Sequence, residues 1–440
     1  RNYNNNGYAT VLGAGVYANN SSSVFTNVIV DENECNTENS HYDHDARSWG
    51  GGFYIEGNST DFFIIDSQIK NNRVHARDNN GDGRSIAFPY GAGIYKTSNG
   101  TLTIQNTDIV DNNISSEGNQ RDERTGGIEM HGGVLNIVNC TIANNQKQGV
   151  YRHGGEVNIS STIIWDNDNN DSGSITYSYT NRQGGAPGGD GNISKDPWFV
   201  DAANEDYTLR PGSVCINRGD INEVDPDGTR RDMGRFIYEH THFGPEWHVA
   251  SDGDSLTGDG SEGNPLSSIL AAVNLANEGE EIIVAEGTYS GTGNYDIYFL
   301  GKGVTVRSAG LVENTILDAQ DQGRVLKFEP HGSYLAASAN TVIQGLTIQN
   351  GYLNSYEAKG AGVYIDNASP SFTNCIIKSN YLRNYNNNGY ATVLGAGVYA
   401  NNSSSVFTNV IVDENECNTE NNHYDHDARS WGGGFYIEGN

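Results

Sequence analysis

The stretch 139–167, "NCTIANNQKQGVYRHGGEVNISSTIIWDN", decides the fold. Its opening phrase "NCTIANN" (139–145) returns in relaxed form as "STIIWDN" (161–167), with "GVY" (149–151) between them. Each phrase reads as a short strand of alternating residues bounded by glycine or asparagine. Asn145 and Asn167 stand 22 residues apart, room for three short strands and three turns. That is one coil of a parallel β-helix, in which each coil pairs edge-on with its neighbours and adds roughly 4.8 Å of length. Asparagine tolerates the left-handed backbone of tight corners, and stacked asparagines can pair their side-chain amides from coil to coil.

Working outward, the glycine phrase G-x-G-[VIF]-Y recurs at 13–17, 50–54, 91–95, 360–364 and 395–399, with degenerate forms at 126–129 and 149–151. The asparagine phrase recurs with it, which predicts a ladder of Asn33, Asn72, Asn112, Asn145 and Asn167, and Asn380 in a later coil. The other ladder spacings are 39, 40 and 33 residues. The excess always falls between the asparagine and the next glycine phrase, as "ECNTENSHYDHDARSW", "RVHARDNNGDGRSIAFPY" and "NISSEGNQRDERT". Insertions confined to one face are either the side that meets partners or tolerated decoration on a solenoid.

A longer repeat encloses this one. Residues 1–58 and 383–440 differ only at Ser40 and Asn422, so they are expected to be equivalent segments of successive 382-residue repeats. Residues 1–238 then read as the C-terminal part of one unit, 239–246 as a short linker, and 247–440 as the N-terminal part of the next. The chain carries 55 acidic against 26 basic residues and a net charge of −29. That sign argues against nucleic acid as a partner and suits uptake of divalent cations. No stretch is long and apolar enough to span a membrane. Cys35, Cys140, Cys215 and Cys375 permit disulfides, and small buried thiols account for them equally well.

The unit boundary has its own texture. Before it lies "DPWFVDAANEDYTLRPGSVCINRGDINEVDPDGTRRDMGRF" and after it "WHVASDGDSLTGDGSEGNPLSSILAAVNLANEGEEIIVAEGTYSG". Asn264 and Pro265 suit a helix start, Leu266, Ile269, Leu270 and Val273 share one apolar face, and Gly279 suits its end. A helix over about 265–278 would cover the open end of the strand stack, where unpaired edges invite aggregation. These residues resemble the secreted right-handed β-helix proteins of the pectate-lyase-like superfamily. In that family a Trp-x-Val strand, a helix and an I-x-V-x-x-G-T-Y strand open the fold, and a D-P-x-F-V-D…D-M-G module closes it. The resemblance implies an all-β, right-handed parallel β-helix, built as tandem rods with short N-terminal capping helices and a closing module at about 194–238.

The family includes enzymes acting on acidic polysaccharides, but its galacturonase-like catalytic set is not found here, and "NTD" (106–108) falls on the ladder's own phrase. Glu129, His131, Arg152 and His153 form the nearest acid–base patch, and a solvated salt-bridged face explains them as well. Candidate calcium ligands are Asp225, Asp227, Asp252 and Asp254, with further acidic loops at 78–83 and 166–173. The last begins like an EF-hand loop but has Asp171 where glycine belongs. "HYDHD" (41–45) is a candidate transition-metal loop. Tyr17, Tyr54, Tyr95 and Tyr151 are expected to form an outward column, broken by Glu129, for contact with protein or carbohydrate.

The expectation for function is a non-enzymatic structural repeat of a giant extracellular filament or adhesin. The closing module resembles those of very large surface proteins of filamentous, gliding marine bacteria, some of which build grappling appendages. That implies a secreted bacterial surface protein, lateral packing of identical chains, and contact with glycans or with prey or host surfaces. The alternative is a carbohydrate-binding or lyase-like β-helix.

Overall fold

The computed structural model describes residues 2–4, 9–39, 45–57, 61–78, 86–118, 123–299, 301–330, 340–355, 357–385, 391–420 and 428–439. Residues 41–44 of the histidine-rich loop and 79–83 of one acidic loop lie outside this set. The chain divides into two compact units, Arg1–Leu209 with Val214–Tyr238, and Arg210–Ser213 with Glu239–Asn440.

In the first unit the repeated phrases become the walls of a parallel β-helix. One six-stranded wall collects the strands that follow glycine phrases, among them Val16–Asn19, Phe53–Glu56, Ile94–Lys96, Thr125–Met130 and Gln148–Arg152. The second six-stranded wall includes Thr101–Gln105, Val134–Val138 and Glu156–Ser160. The third, also six-stranded, is the middle of each asparagine phrase: Asp108–Val110, Thr141–Ala143 and Ile163–Trp165 are examples. All these pairings are parallel, with one register shift between Thr125 and Ile128 where that strand meets Gln148–Arg152, and Ile104 lies between Ile64 and Ile137. Alternation sends one side chain in two inward. Phe53, Ile94, Ile128, Leu102, Ile137, Ile109 and Ile142 are wholly buried in one core, each worth about 1.5–3 kcal/mol relative to exposure.

The corners explain the phrases. Asn106 and Asn139, which start their phrases, have φ of 48° and 53°. At the other end the left-handed residue precedes the ladder asparagine: Glu32, Asn71, Asp111, Asn144 and Asp166. The ladder asparagines are thereby free to point inward and stack. Asn33 Nδ2 donates to Asn72 Oδ1 (2.9 Å), Asn72 to Asn112 (3.0 Å), Asn112 to Asn145 (2.9 Å) and Asn145 to Asn167 (3.0 Å). In the second unit Asn380 donates likewise to Asn415 at 2.9 Å. The second glycine of each phrase packs on this ladder. A Cβ on Gly93 would lie 2.8 Å from Gly127 O and 3.2 Å from Asn112 Nδ2.

That contact closes the coil, and the insertions grow out beyond it. They are neither loose decoration nor simple loops. Glu34–Asn39, Arg73–Asp78 and Asn113–Glu117 stack with Asn2–Asn4 as a four-stranded parallel sheet, and Ala9–Leu12, Ala46–Trp49 and Ala87–Tyr90 as a three-stranded one. The two sheets form a thin fin whose interior is made of small residues, including Ala46, Ala76 and Ala87. Coils with a 39- or 40-residue spacing thus carry five strands, and the 22-residue coil carries three.

Residues 199–238 form a hairpin, Phe199–Asp201 with Asp206–Leu209, and a run of turns. Lys70 pairs with Glu205 at 2.6 Å, Tyr207 Oη donates to Asp111 at 3.0 Å, and Arg235 pairs with Asp108. The module therefore lies along the third wall.

The second unit opens with Glu246–Asp254 and has walls of six, five and five strands, with a fin of three and three. Its helix is shorter than the expected 265–278: it spans Ile269–Leu275, and Ser268, not Asn264, accepts the capping bond, from Ala271 N at 3.2 Å. Leu266 is taken up instead by bridges to Val249 and Asp254. Every residue of the helix is buried, and Lys302 Nζ donates to Val273 O and Ala276 O at its C-terminal end, where a cation also meets the negative end of the helix dipole. All five cysteines are free thiols, and Cys35, Cys140, Cys215 and Cys375 are buried. Among the described residues no helix is long and apolar enough to cross a membrane.

Candidate functional site: the crevice between wall and fin

Parallel pairing sets Tyr17, Tyr54, Tyr95, Glu129 and Tyr151 at one register position on successive coils. Tyr17 stacks on Tyr54 at 5.6 Å and Tyr54 on Tyr95 at 5.4 Å, with planes within 5°. The column faces out of the coil, but the fin covers it. Trp49 lies 5.4 Å from Tyr95, and Tyr90 lies 6.2 Å from it. Tyr54 and Tyr95 are consequently only 3 % and 4 % exposed, whereas Tyr17 is 49 % exposed and Tyr151 half-buried. The expectation of an outward contact column is corrected here: its middle is the floor of an aromatic seam. Tyr17 and Tyr54 both donate to Glu56, and burial raises the phenol pKa of Tyr54 and of Tyr95.

Where the fin gives out, the seam turns polar. Glu129 is wholly buried, 2.8 Å from His131 Nε2. His131 lies against Tyr95 (5.0 Å) and His153 (4.7 Å). Arg124 spreads its guanidinium over Tyr90 (4.6 Å) and Tyr151 (5.7 Å) and reaches within 3.9 Å of Glu129. Of the four residues in the expected acid–base patch, Glu129, His131 and His153 come together. Arg152 does not join them, its Nε donating to Gly155 O at 2.7 Å. Arg124 takes that place; it sits at the end of an insertion, where nothing in the phrase pattern marked it.

In the second unit the matching crevice is open and cationic. Tyr364 stacks on Tyr399 at 5.3 Å, and Tyr399 on Tyr436 at 6.0 Å. Arg324 lies 4.7 Å and Lys327 5.9 Å from the Tyr364 ring, and Lys359 lies 5.0 Å from that of Tyr399. These groups line a cleft of about 390 Å³ together with Glu329 and Glu357. Arg324 is held by the carbonyls of Gly360 and Lys359, and burial lowers its pKa. Two cations thus flank the Tyr364 ring and one the Tyr399 ring, and Lys327 is paired with Glu329 at 2.7 Å.

The candidate calcium ligands are distributed differently. Asp225 accepts from Arg231 Nη1 at 2.7 Å and from Asp232 N at 3.0 Å. Asp227 accepts from Thr229, and Asp254 from the Leu256 and Thr257 amides. Asp171 makes a bidentate pair with Arg182, both bonds 2.6 Å, and accepts from Tyr177. The EF-hand-like loop is thus tied by an ion pair at that position. Asp108 of "NTD" is engaged by Arg235. Among the described residues no three His, Cys, Asp or Glu side chains gather as a metal ion would require.

No curated protein matches the chain. Residues 251–425, which hold the cap helix, the coils of the second unit and its cationic crevice, match the model of a family described as "Protein of unknown function (DUF1565)", one associated with parallel β-helix repeats.

Proposed function

We propose that this chain is a structural repeat segment of an extracellular bacterial filament or adhesin, with no reaction of its own. One observation carries the reading. Nearly the same 58 residues occur in both units, stacked on the coil before them in one and on the coil after them in the other, as a place inside a continuous solenoid would be. Val398 and Tyr399 pair with Val363 and Tyr364 of the coil before them. Their equivalents' neighbours Phe53 and Ile55 pair with Ile94 and Lys96 of the coil after them. A scaffold built from such units lengthens without a change of register.

Other apolar residues stay exposed in both copies: Val24 and Val406 at 64 % and 55 %, Ile29 and Ile411 at 67 % and 57 %. They face sideways whichever neighbour is present and are the surface proposed for lateral packing of identical chains. Electron microscopy of the native material tests the reading. The wall of the first unit that ends in Ser23–Thr26 and the six-stranded wall of the second, which ends in Val406–Thr408, share that one equivalent strand, so together they hold eleven strands, about 50 Å of coil. Fibres with an axial repeat no shorter than this support the proposal, and dispersed short rods refute it.

A second reading, carbohydrate binding, draws on the cationic crevice of the second unit. Binding of an acidic polysaccharide that is lost in Arg324→Ala and Lys327→Ala would favour it. Calcium is proposed only for the 251–263 loop with Asp252 and Asp254, because Arg231 already neutralises Asp225. Calcium added to chelator-treated protein should then raise the melting temperature, and an unchanged curve removes the proposal.

A further inference from the structure

The fin ends in the middle of the first unit, and its last strand has an edge to protect. Asn113–Glu117 pairs with Arg73–Asp78 on one side. On the other side the next coil passes from Asn145 to Gln148–Arg152 with only Gln146 and Lys147 between, too short a link to add a strand to the fin. The edge is therefore set by the short coil that follows it. Asn113 N points back, donating to Asn72 O at 2.8 Å. Alternation then turns the N–H and C=O groups of Ile114 and Ser116 away from the sheet. Such a row is a template on which another chain can add a strand. One coil earlier the equivalent residues, Val74 and Ala76, have Ile114 and Ser116 themselves to face.

Side chains meet the outward amides of this last strand. Ile114 N donates to Gln146 Oε1 at 3.0 Å, and Ser116 N to Glu123 Oε1 at 2.8 Å, an oxygen that Ser116 Oγ also reaches at 2.7 Å. The other Glu123 oxygen lies 3.1 Å from Lys147 Nζ. Both supports are fixed from behind. Gln146 N donates to Asn112 O at 3.0 Å and its carbonyl accepts from Gly126 N at 2.7 Å. Lys147 has a left-handed backbone (φ 66°), and its N–H donates to Asp168 Oδ2 at 2.9 Å. We infer that Glu123, Gln146 and Lys147 form a guard that keeps the outer edge of the fin from pairing with a second copy of this chain. The occupant it excludes is the same edge of that copy. Ile114 and Ser116 are symmetric about Ser115, so two such edges set antiparallel match Ile114 of each with Ser116 of the other about a two-fold axis. Asn113 would then oppose Glu117, and Ser115 would oppose Ser115, with no like charges facing.

The guard is independent of the filament reading, since it concerns an edge that the chain keeps closed. The test uses the full chain carrying Glu123→Ala and Gln146→Ala, which bare both amides. Sedimentation should show this variant dimerising at least about tenfold more tightly than the unsubstituted chain, whose own association through any other face is the baseline. Hydrogen exchange at Ile114 and Ser116 should be fast in the dilute variant and slow in its dimer. Adding Ser116→Pro removes one of the donors at an edge position that tolerates proline, and should return association to the baseline. Glu123→Gln keeps an acceptor for Ser116 N and should not associate beyond the baseline. A folded double variant with unchanged association overturns the inference, and so does added association that survives Ser116→Pro. Should the double variant not fold, Glu123→Ala alone bares Ser116 N and leaves Gln146 in place. It must then associate more tightly than the unsubstituted chain, and equal association overturns the inference.

Discussion

Phe53 and Phe435 are the same residue in the same sequence, and they should respond very differently to truncation. Phe53 is wholly buried, edge-on to Phe25 (5.3 Å) and Phe62 (6.3 Å), with Ile94 paired above it. Phe435 is 38 % exposed and keeps an edge contact to Phe407 at 5.1 Å. Removing a phenylalanine ring from a packed core costs about 3–5 kcal/mol. At Phe435 the partial exposure reduces the loss to roughly 1–2 kcal/mol, because only the area already out of water is forfeited. For a unit of this size 1 kcal/mol moves the midpoint by about 2–4 °C. Phe53→Ala should therefore lower melting of the first unit by roughly 6–20 °C, and Phe435→Ala should lower that of the second by a few degrees. Thermal unfolding by circular dichroism reads the midpoints, and hydrogen exchange assigns each to its unit. Equal losses at the two sites would refute the difference in packing between the two copies.

Three further outcomes follow from the same geometry. Asn112→Ala removes the acceptor of Asn72, the donor to Asn145 and a bond to Ile69 O; with unsatisfied groups costing about 1–3 kcal/mol each, the denaturant midpoint should fall clearly, and an unchanged midpoint would reduce the ladder to ornament. Gly93→Ala forces a Cβ to 2.8 Å from Gly127 O, whereas Gly188→Ala meets nothing within 4 Å, so the first should destabilise and the second should not. Burial raises Asp232 to about 7 despite two backbone N–H bonds, and raises Asp108 to about 6 against the pull of Arg235. A carboxyl raised in the folded state contributes stability below its unfolded pKa and loses it as pH rises through the folded one. The first unit should thus weaken between about pH 4 and 7 by up to ~1.4 kcal/mol per pH unit per group. Asp232→Asn should flatten that slope whatever it does to the baseline, and an unaltered slope would remove Asp232 as the cause.

The walls and the ladder were legible in the sequence because both depend on strict local grammar. A glycine is needed where a Cβ would strike the next coil, and an asparagine where an amide must bond up and down the stack. The fin was not legible, although it also alternates. Cys35, Thr37 and Asn39 face in on one strand, and Val74, Ala76 and Asp78 on the next. Those inward residues are too small and polar to register as a core, so the segment reads as inserted loop. The cover over the tyrosines was lost with it, since Trp49 and Tyr90 belong to the fin. Arg124 and Arg235 act on groups that only folding brings near: Asp108 and Arg235 are 127 residues apart. The helix end was misjudged by a few residues because Ser268 caps better than Asn264 once Leu266 is committed to the edge strand.

The most direct test of the central claim is a rearranged chain that runs residues 239–440 and then 59–238, carrying each position of one repeat once. If residues 1–58 and 383–440 are one place in one solenoid, this chain has a cap helix, uninterrupted walls and a closing module, with no coil left open between them. Its thermal unfolding should be a single cooperative transition above both transitions of the present chain. Two transitions, or one at lower temperature with exposed apolar surface, would mean that the two units are separate domains and that the shared sequence is a duplication without structural continuity.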